Sequence, residues 1–394
     1  MNLKIALLSD YYWPIVGGVE ENVRQTAAQL PEHYQCTIFA HNCTTIHKSL
    51  YKKYAAQVKK RETVDPSGKQ VVTLFPALNA RITLLPLKLW SFPNLKGIRA
   101  PELFDTLYRF YQAAFKQQLQ GYLKEYDVVH SYSTGYLGRC AAEICETFSI
   151  PIVQSPYIHF NRWGDSPAQM SAYNKADAVI CHSQDYKRNF VSRSQTPSPL
   201  LKVIPPVINE PDEQNATERI TDSPYILFLG RKENYKGLND LLKAFSPIAT
   251  DFKLVVAGPG EVLGSDERII DLGSVSETMK HTLLSGCEFL CVPSINETFG
   301  IVYAEAMSYA KPVIALDKAP VSEIVQNGRC GILVKPGNSK ALRESIEELI
   351  HDKKRRERMG SEALKQYRKH FSPSVTIGKL TNLYEEIVLG KTFP

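Results

Sequence analysis

The chain has 394 residues, of which 43% are hydrophobic and 22% charged, with a net charge of +6. That length exceeds what one hydrophobic core usually serves, so two domains are expected of an ordinary globular composition. The positive excess is too diffuse for a nucleic-acid partner, and no apolar run approaches the roughly 18 to 20 residues that span a bilayer.

In chain order, KIALLS (4–9) reads as the first strand. Asp10 interrupts its apolar run and no small-residue cleavage site follows, which argues against a signal peptide. Gly17-Gly18 then lead into the helix VEENVRQTAAQL. Further strands are CTIFAH, VVTLFP, DVVHSY, PIVQSP, DAVICHS and KVIPP. The segment PELFDTLYRFYQAAFKQQLQGYLKEY (101–126) carries Phe104, Leu107, Tyr108, Tyr111, Phe115, Leu119 and Tyr122 at helical spacing. It reads first as a core helix, and the basic run YKKYAAQVKKR (51–61) as a solvated loop. Together they are also compatible with peripheral contact on an anionic membrane and a lipid-linked acceptor.

The second half gives strands YILFLG, KLVVAG, IIDLG, EFLCVPS, PVIALD and GILV. Most strands are Val/Ile/Leu runs without alternation, as expected of parallel strands covered on both faces by helices. Each half is therefore expected to be a doubly wound α/β sheet, the two facing across a cleft. Pro205-Pro206 and the polar stretch NEPDEQNATERITDSP mark the linker, giving domains 1–206 and 207–373. A last helix, 374–394, follows a Ser-Pro break and is expected to pack back on the first domain. Eight cysteines without a Cys-x-x-Cys pair, and no clustered histidines, argue against structural zinc. With the sequons at Asn42, Asn215 and Asn296 carrying little weight, the expected location is cytoplasmic.

The chemistry concentrates in NETFGIVYAEAMSYAKPVIAL (296–316). Its helix is apolar on nearly every side, yet it holds Glu305, and Glu297 stands just before it. Ionised carboxylates are almost never buried without a partner. The backbone N–H groups around Phe299 to Ile301 open that helix and suit a phosphate, while carboxylates suit the hydroxyls beside it. GRKENYKG (230–237) places Arg231 and Lys236 at a strand's carboxyl end, where two cations can hold a diphosphate. There is no Gly-x-Gly-x-x-Gly and no Gly-x-x-x-x-Gly-Lys-Ser/Thr, which disfavours nicotinamide, flavin and P-loop readings.

Glu297 and Glu305, with seven residues between them in ETFGIVYAEAMSYAKPVIA, resemble the E-x7-E signature of retaining glycosyltransferases of family 4, which have the GT-B fold. GGVE, GR-x4-KG, VVAGPGE, the GSV turn, PS-x-x-ETFG and VSEIVQNGRCGILV extend the likeness over most of the chain. The resemblance implies that Glu297 contacts the donor sugar hydroxyls, with the backbone N–H groups of Thr298, Phe299 and Gly300 nearby, and that Glu305 holds the nucleotide ribose. It implies that the first domain binds the acceptor and the second the nucleotide-sugar donor. It also implies that Arg231 and Lys236 neutralise the donor diphosphate, that Gly17 meets the donor phosphates, and that Val275 lies where the backbone meets the base. Members often carry an active-site histidine after the strand that here precedes His159. His130 reads instead as a satisfied core histidine.

The expected activity is retaining transfer from a UDP- or GDP-sugar to a glycan, lipid-linked or small-molecule acceptor. Cell-surface glycan, polysaccharide or glycolipid synthesis is the expected setting. No cofactor and no metal is expected, because the chain has no Asp-x-Asp. A sugar-nucleotide epimerase on the same architecture and a non-catalytic nucleotide-sugar-binding module are the alternatives. The intact E-x7-E and GR-x4-KG argue against the first, and the presence of both glutamates against the second.

Overall fold

Strand Lys4–Ser9 (β1) shows why the strands lack alternation. Ile5 and Leu7 bury in one hydrophobic cluster while Ala6 and Leu8 bury in another, so both faces of the sheet are covered. The structure, a computed structural model, describes residues 1–15, 17–41, 49–55, 62–76, 80–91, 100–161, 163–194, 200–211, 220–261 and 266–392. It divides into unit 1 (Met1–His182, Tyr186–Ile204 and Ile377–Pro394) and unit 2 (Ser183–Asp185 and Pro205–Thr376).

Unit 1 carries an eight-stranded sheet. Its strands after β1 are Gln35–His41 (β2), Glu62–Val64 (β3), Gln70–Leu74 (β4), Val128–Ser131 (β5), Ile152–Gln154 (β6), Ala178–Cys181 (β7) and Leu200–Val203 (β8). The spatial order is β3-β4-β2-β1-β5-β6-β7-β8, parallel throughout except that β3 pairs antiparallel with β4. β3 is the strand that the sequence does not announce. Its three residues, ETV, are all exposed, so no hydrophobic pattern marks it. The helix Ala100–Leu123 turns Leu107, Tyr108, Tyr111, Phe115 and Leu119 into the core, with Phe104 and Tyr122 packed against it. Its apolar face is thus occupied by the protein itself, as for an ordinary core helix. Residues 56–61 of the basic run lie outside the described residues. In the helix Pro373–Thr392, Leu380, Leu383, Tyr384 and Ile387 bury in the cluster that holds Ile5 and Leu7.

Unit 2 carries six parallel strands: Tyr225–Leu229 (β9), Lys253–Ala257 (β10), Ile269–Gly273 (β11), Phe289–Val292 (β12), Val313–Leu316 (β13) and Gly331–Val334 (β14). Their order is β11-β10-β9-β12-β13-β14. The strand order reverses between β9 and β12, and in unit 1 between β1 and β5. In open α/β sheets ligands bind at that reversal, outside the carboxyl ends of the strands. No described helix is long and apolar enough to cross a membrane.

Candidate active site

The loops that leave β9 and β12 meet at the strand-order reversal of unit 2. The chain leaves β9, makes a short turn over Asn234–Lys236, and reaches Gly237 at φ 76°. A Cβ there would stand 2.0 Å from the Pro293 carbonyl oxygen, so only glycine permits this approach of the two loops. The Ile295 N–H and the Ser294 hydroxyl both donate to the Tyr235 carbonyl, at 2.8 and 3.2 Å, and lock the loops together. This brings Lys236 onto Glu297, with the Nζ donating to Oε1 at 2.7 Å. The side chains are 16% and 10% exposed, so most of the pair is out of water. Directly beyond it, Gly300 caps the helix Ile301–Ser308. Among the described residues no acceptor takes up the N–H groups of Thr298, Phe299 or Gly300. Phe299 itself anchors this corner, buried and edge-on to Phe371 at 5.9 Å.

Arg231 stands apart from this pair. Its side chain is 59% exposed, donates to the Tyr235 hydroxyl at 2.7 Å and pairs with Glu233 at 3.0 Å. Glu305, one turn into the helix, is held by a residue that the sequence reading did not single out. Lys280, from the helix Glu277–Gly286, donates to Glu305 at 2.8 Å and pairs with Glu277 at 2.7 Å. Burial opposes the charge on Lys280, but the two carboxylates outweigh it and hold the ammonium above its ordinary value. A lone lysine in a helix that buries Thr282, Leu283 and Leu284 was the available signal. Val275 lies between β11 and that helix, half-buried against the unit 2 core. The two glutamates of the signature therefore each face a lysine, one per loop system.

The remaining candidates lie in unit 1. Gly17 is the N-cap of the helix Gly18–Gln29, in extended conformation, and the Glu20 carboxylate stands where its Cβ would project. His159 forms a backbone bridge with Trp163, and their rings pack at 4.9 Å. His130 is a buried core residue, bonded to the Tyr384 hydroxyl at 2.6 Å and to Ser155 at 2.7 Å.

Unit 1 also holds a cavity of about 360 Å³ that the sequence reading missed. It opens at the reversal between β1 and β5. Asp10, the residue after β1, accepts from the Ser133 hydroxyl at 2.7 Å and the Gly135 N–H at 3.2 Å, both just beyond β5. Lys53, from the helix Leu50–Ala55, completes an ion pair with it at 3.1 Å. Burial works against the Asp10 charge, yet Lys53 and Ser133 hold its carboxyl below the usual range. The lining residues run from Ser9 to Gln169, scattered among otherwise unremarkable segments, so no contiguous motif signalled them.

Comparison with known proteins agrees with this architecture. Residues 16–210 match the family model described as Glycosyltransferase Family 4, and residues 209–366 that described as Glycosyl transferases group 1. The alpha-D-kanosaminyltransferase of Streptomyces kanamyceticus is 25% identical over 285 residues, covering 66% of this chain and 71% of the relative. The D-inositol 3-phosphate glycosyltransferase of Corynebacterium efficiens is 23% identical over 366 residues, 82% of this chain and 84% of its own. Among solved structures, the sucrose-phosphate synthase of Thermosynechococcus elongatus superposes with a TM-score of 0.76 at 18% identity, covering 98% of this chain and 100% of that one. Anabaena HepE in complex with UDP-glucose gives 0.73 at 17% identity, with the same coverages.

Proposed function

A chain matched to glycosyltransferase models from residue 16 to residue 366, on a GT-B fold of two Rossmann-like domains, is a group 1 glycosyltransferase, and from that premise we propose that it is a retaining enzyme using a UDP- or GDP-sugar. The observation that carries this reading is the Lys236–Glu297 pair set directly before three amides at a helix N-terminus that find no acceptor among the described residues. A diphosphate leaving group gains negative charge as the glycosidic bond breaks, and fixed donors stabilise that charge without rearranging. Lys236 exchanges Glu297 for a phosphate oxygen as the donor enters, and Glu297 turns to the sugar hydroxyls. Arg231, largely solvent-facing, takes the other phosphate. Glu305 receives the ribose hydroxyls while Lys280 holds its carboxylate in place.

In the transfer, the anomeric carbon–oxygen bond to the diphosphate breaks and the acceptor oxygen bonds to that carbon on the same face. The acceptor proton passes to a donor phosphate oxygen, leaving a nucleoside diphosphate. The lysine, the arginine and the amides supply the positive charge that meets the diphosphate. HepE was crystallised with UDP-glucose, which supports a nucleotide-sugar donor here as well. The test is nucleotide release from a panel of UDP-, GDP- and ADP-sugars in excess chelator. Release from one uridine or guanosine donor is expected. Activity abolished by chelator and restored by manganese would overturn the metal-independent reading, and a β-linked product from an α-linked donor the retaining one.

A further inference from the structure

The cavity of unit 1 has a lining that selects against negative charge. Its described charged residues are Asp10, Glu20, Asp165 and Lys53, three acids to one base. The single lysine is committed to Asp10 at 3.1 Å and lies over the rings of Tyr11 and Tyr54 at 4.6 and 5.0 Å. Arg193, which does not line the cavity, reaches Asp165 at 3.8 Å. The helix Tyr136–Phe148 begins at the cavity, but its N-cap residue Gly135 already donates its N–H to Asp10. A Cβ on Gly135 would stand 2.9 Å from that carboxylate, so the carboxylate occupies the place an external anion would take. The protein has filled its own anion site.

The rest of the lining fits a sugar ring. Tyr132, Tyr157 and Phe104 contribute aromatic walls, and Trp163 stands 49% exposed at the cavity with His159 packed against its ring. An exposed tryptophan beside carboxylates is a platform for the apolar face of a pyranose, whose hydroxyls then reach the acids. Ser9 supplies an independent sign. It lines the cavity, is 1% exposed, and its hydroxyl has no partner among the described residues. Buried hydroxyls are seldom left unpaired, and a ligand hydroxyl would satisfy this one.

We infer that this cavity takes the acceptor as an uncharged sugar, stacked on Trp163 with hydroxyls toward Asp10 and Ser9, and that it excludes phosphorylated acceptors. The inference rests on the glycosyltransferase reading, but its test needs no donor. Full-length protein is titrated with methyl hexopyranosides and, separately, with glucose 6-phosphate, followed by saturation-transfer NMR and calorimetry. A neutral hexoside should bind at least about tenfold more tightly than the phosphate ester, because the ester brings its negative charge against the acidic lining. Trp163→Ala, a change at a largely exposed position, should weaken hexoside binding without altering the melting temperature. Glu20→Gln should narrow the gap between hexoside and ester.

Equal or tighter binding of glucose 6-phosphate overturns the inference. So does a Trp163→Ala protein that binds hexosides like the parent, or a parent that binds none of them. Titration with UDP and GDP in parallel separates the two readings. A chain that binds nucleotide but no hexoside loses only this inference, and one that binds hexoside but no nucleotide loses only the donor assignment.

Discussion

At the strand-order reversal of unit 1, Asp10 follows the first strand and meets Lys53 at 3.1 Å. At the corresponding place in unit 2, Lys236 meets Glu297 at 2.7 Å. The two arrangements exchange the sign of the charge that the segment after the central strand supplies. In unit 1 the acid comes first and is pinned by a serine hydroxyl and the amide at a helix N-terminus, so the positive end of that helix is already answered. In unit 2 the base comes first, the acid arrives from the neighbouring loop, and the amides of Thr298 to Gly300 remain open. The same fold position can thus be prepared for a neutral ligand or for an anionic one, depending on whether the protein supplies the anion itself.

Breaking the pair in unit 2 should have the largest effect. Glu297→Ala and Lys236→Ala should each slow turnover by roughly 10- to 150-fold, the equivalent of one charged hydrogen bond of about 1.5–3 kcal/mol. Each single change also strands a mostly buried partner charge. The double variant should therefore lose less than the product of the two single losses, and multiplicative losses in kcat/KM would mean that the pair does not act as a unit. Arg231→Ala is the contrasting case. Its side chain is 59% exposed, so the melting temperature should hold while turnover falls.

Gly237 tests the support beneath that pair. With φ at 76° and the Pro293 oxygen 2.0 Å from the position of a Cβ, Gly237→Ala must both strain the backbone and part the two loops. A cost of about 2 kcal/mol or more in stability is expected, read as a fall in denaturation midpoint for unit 2. Turnover should drop further than stability alone predicts, because Lys236 leaves Glu297. A melting curve like that of the parent would show that the loops are not held by this contact.

These contrasts also explain what could be read in the sequence. Both sheets were legible because their strands are buried on two faces, and β3 was not, being three exposed residues on an edge. Glu297, Glu305, Arg231 and Lys236 fall in two contiguous motifs, so they could be singled out as candidates without coordinates. Their pairing could not. Lys280 enters from a helix whose sequence, ETMKHTLLSG, carries no motif, and its meeting with Glu305 depends on how that helix packs. The unit 1 cavity is further out of reach, since Asp10, Lys53, Ser133 and Trp163 are joined only by the fold. The two carboxylates beside an apolar helix each meet a lysine, an answer that periodicity does not contain.

Lys280 sharpens the comparison at smaller scale. Lys280→Met removes the ammonium shared by Glu305 and Glu277 and leaves two carboxylates facing one another. Stability should fall by about 1 to 3 kcal/mol, since the site is largely buried and the pair is hydrogen-bonded. The folded pKa lies above the unfolded one, so this contribution is fully present below the ordinary lysine value of about 10.4 and is lost only as pH rises beyond it. The deficit of the variant should therefore be constant between pH 6 and pH 9. A deficit that vanishes within that range would assign the stability to another group.

The smallest effect per group lies in unit 1, which buries His41, His130 and His182, whereas no described histidine of unit 2 is buried. Burial is the main cause that pushes their pKa values down, to about 3 for His41 and His130 and about 4 for His182. The folded values lie below the unfolded one, so the unfolded chain binds more protons at mildly acid pH. Their contribution is therefore complete above about pH 6.5 and is lost progressively as pH falls toward the folded values. Within that window each histidine removes at most about 1.4 kcal/mol per pH unit. Acidification from pH 7 to pH 5 should accordingly weaken unit 1 more than unit 2. Hydrogen exchange resolved by peptide can follow both units, and tryptophan fluorescence reports unit 1, where Trp13, Trp90 and Trp163 all lie. His130→Gln keeps a polar side chain opposite the Tyr384 and Ser155 hydroxyls but cannot titrate. It should cost some stability at pH 7 and make the acid slope of unit 1 shallower by one proton. An unchanged slope would mean that His130 is not among the groups that couple this unit to pH.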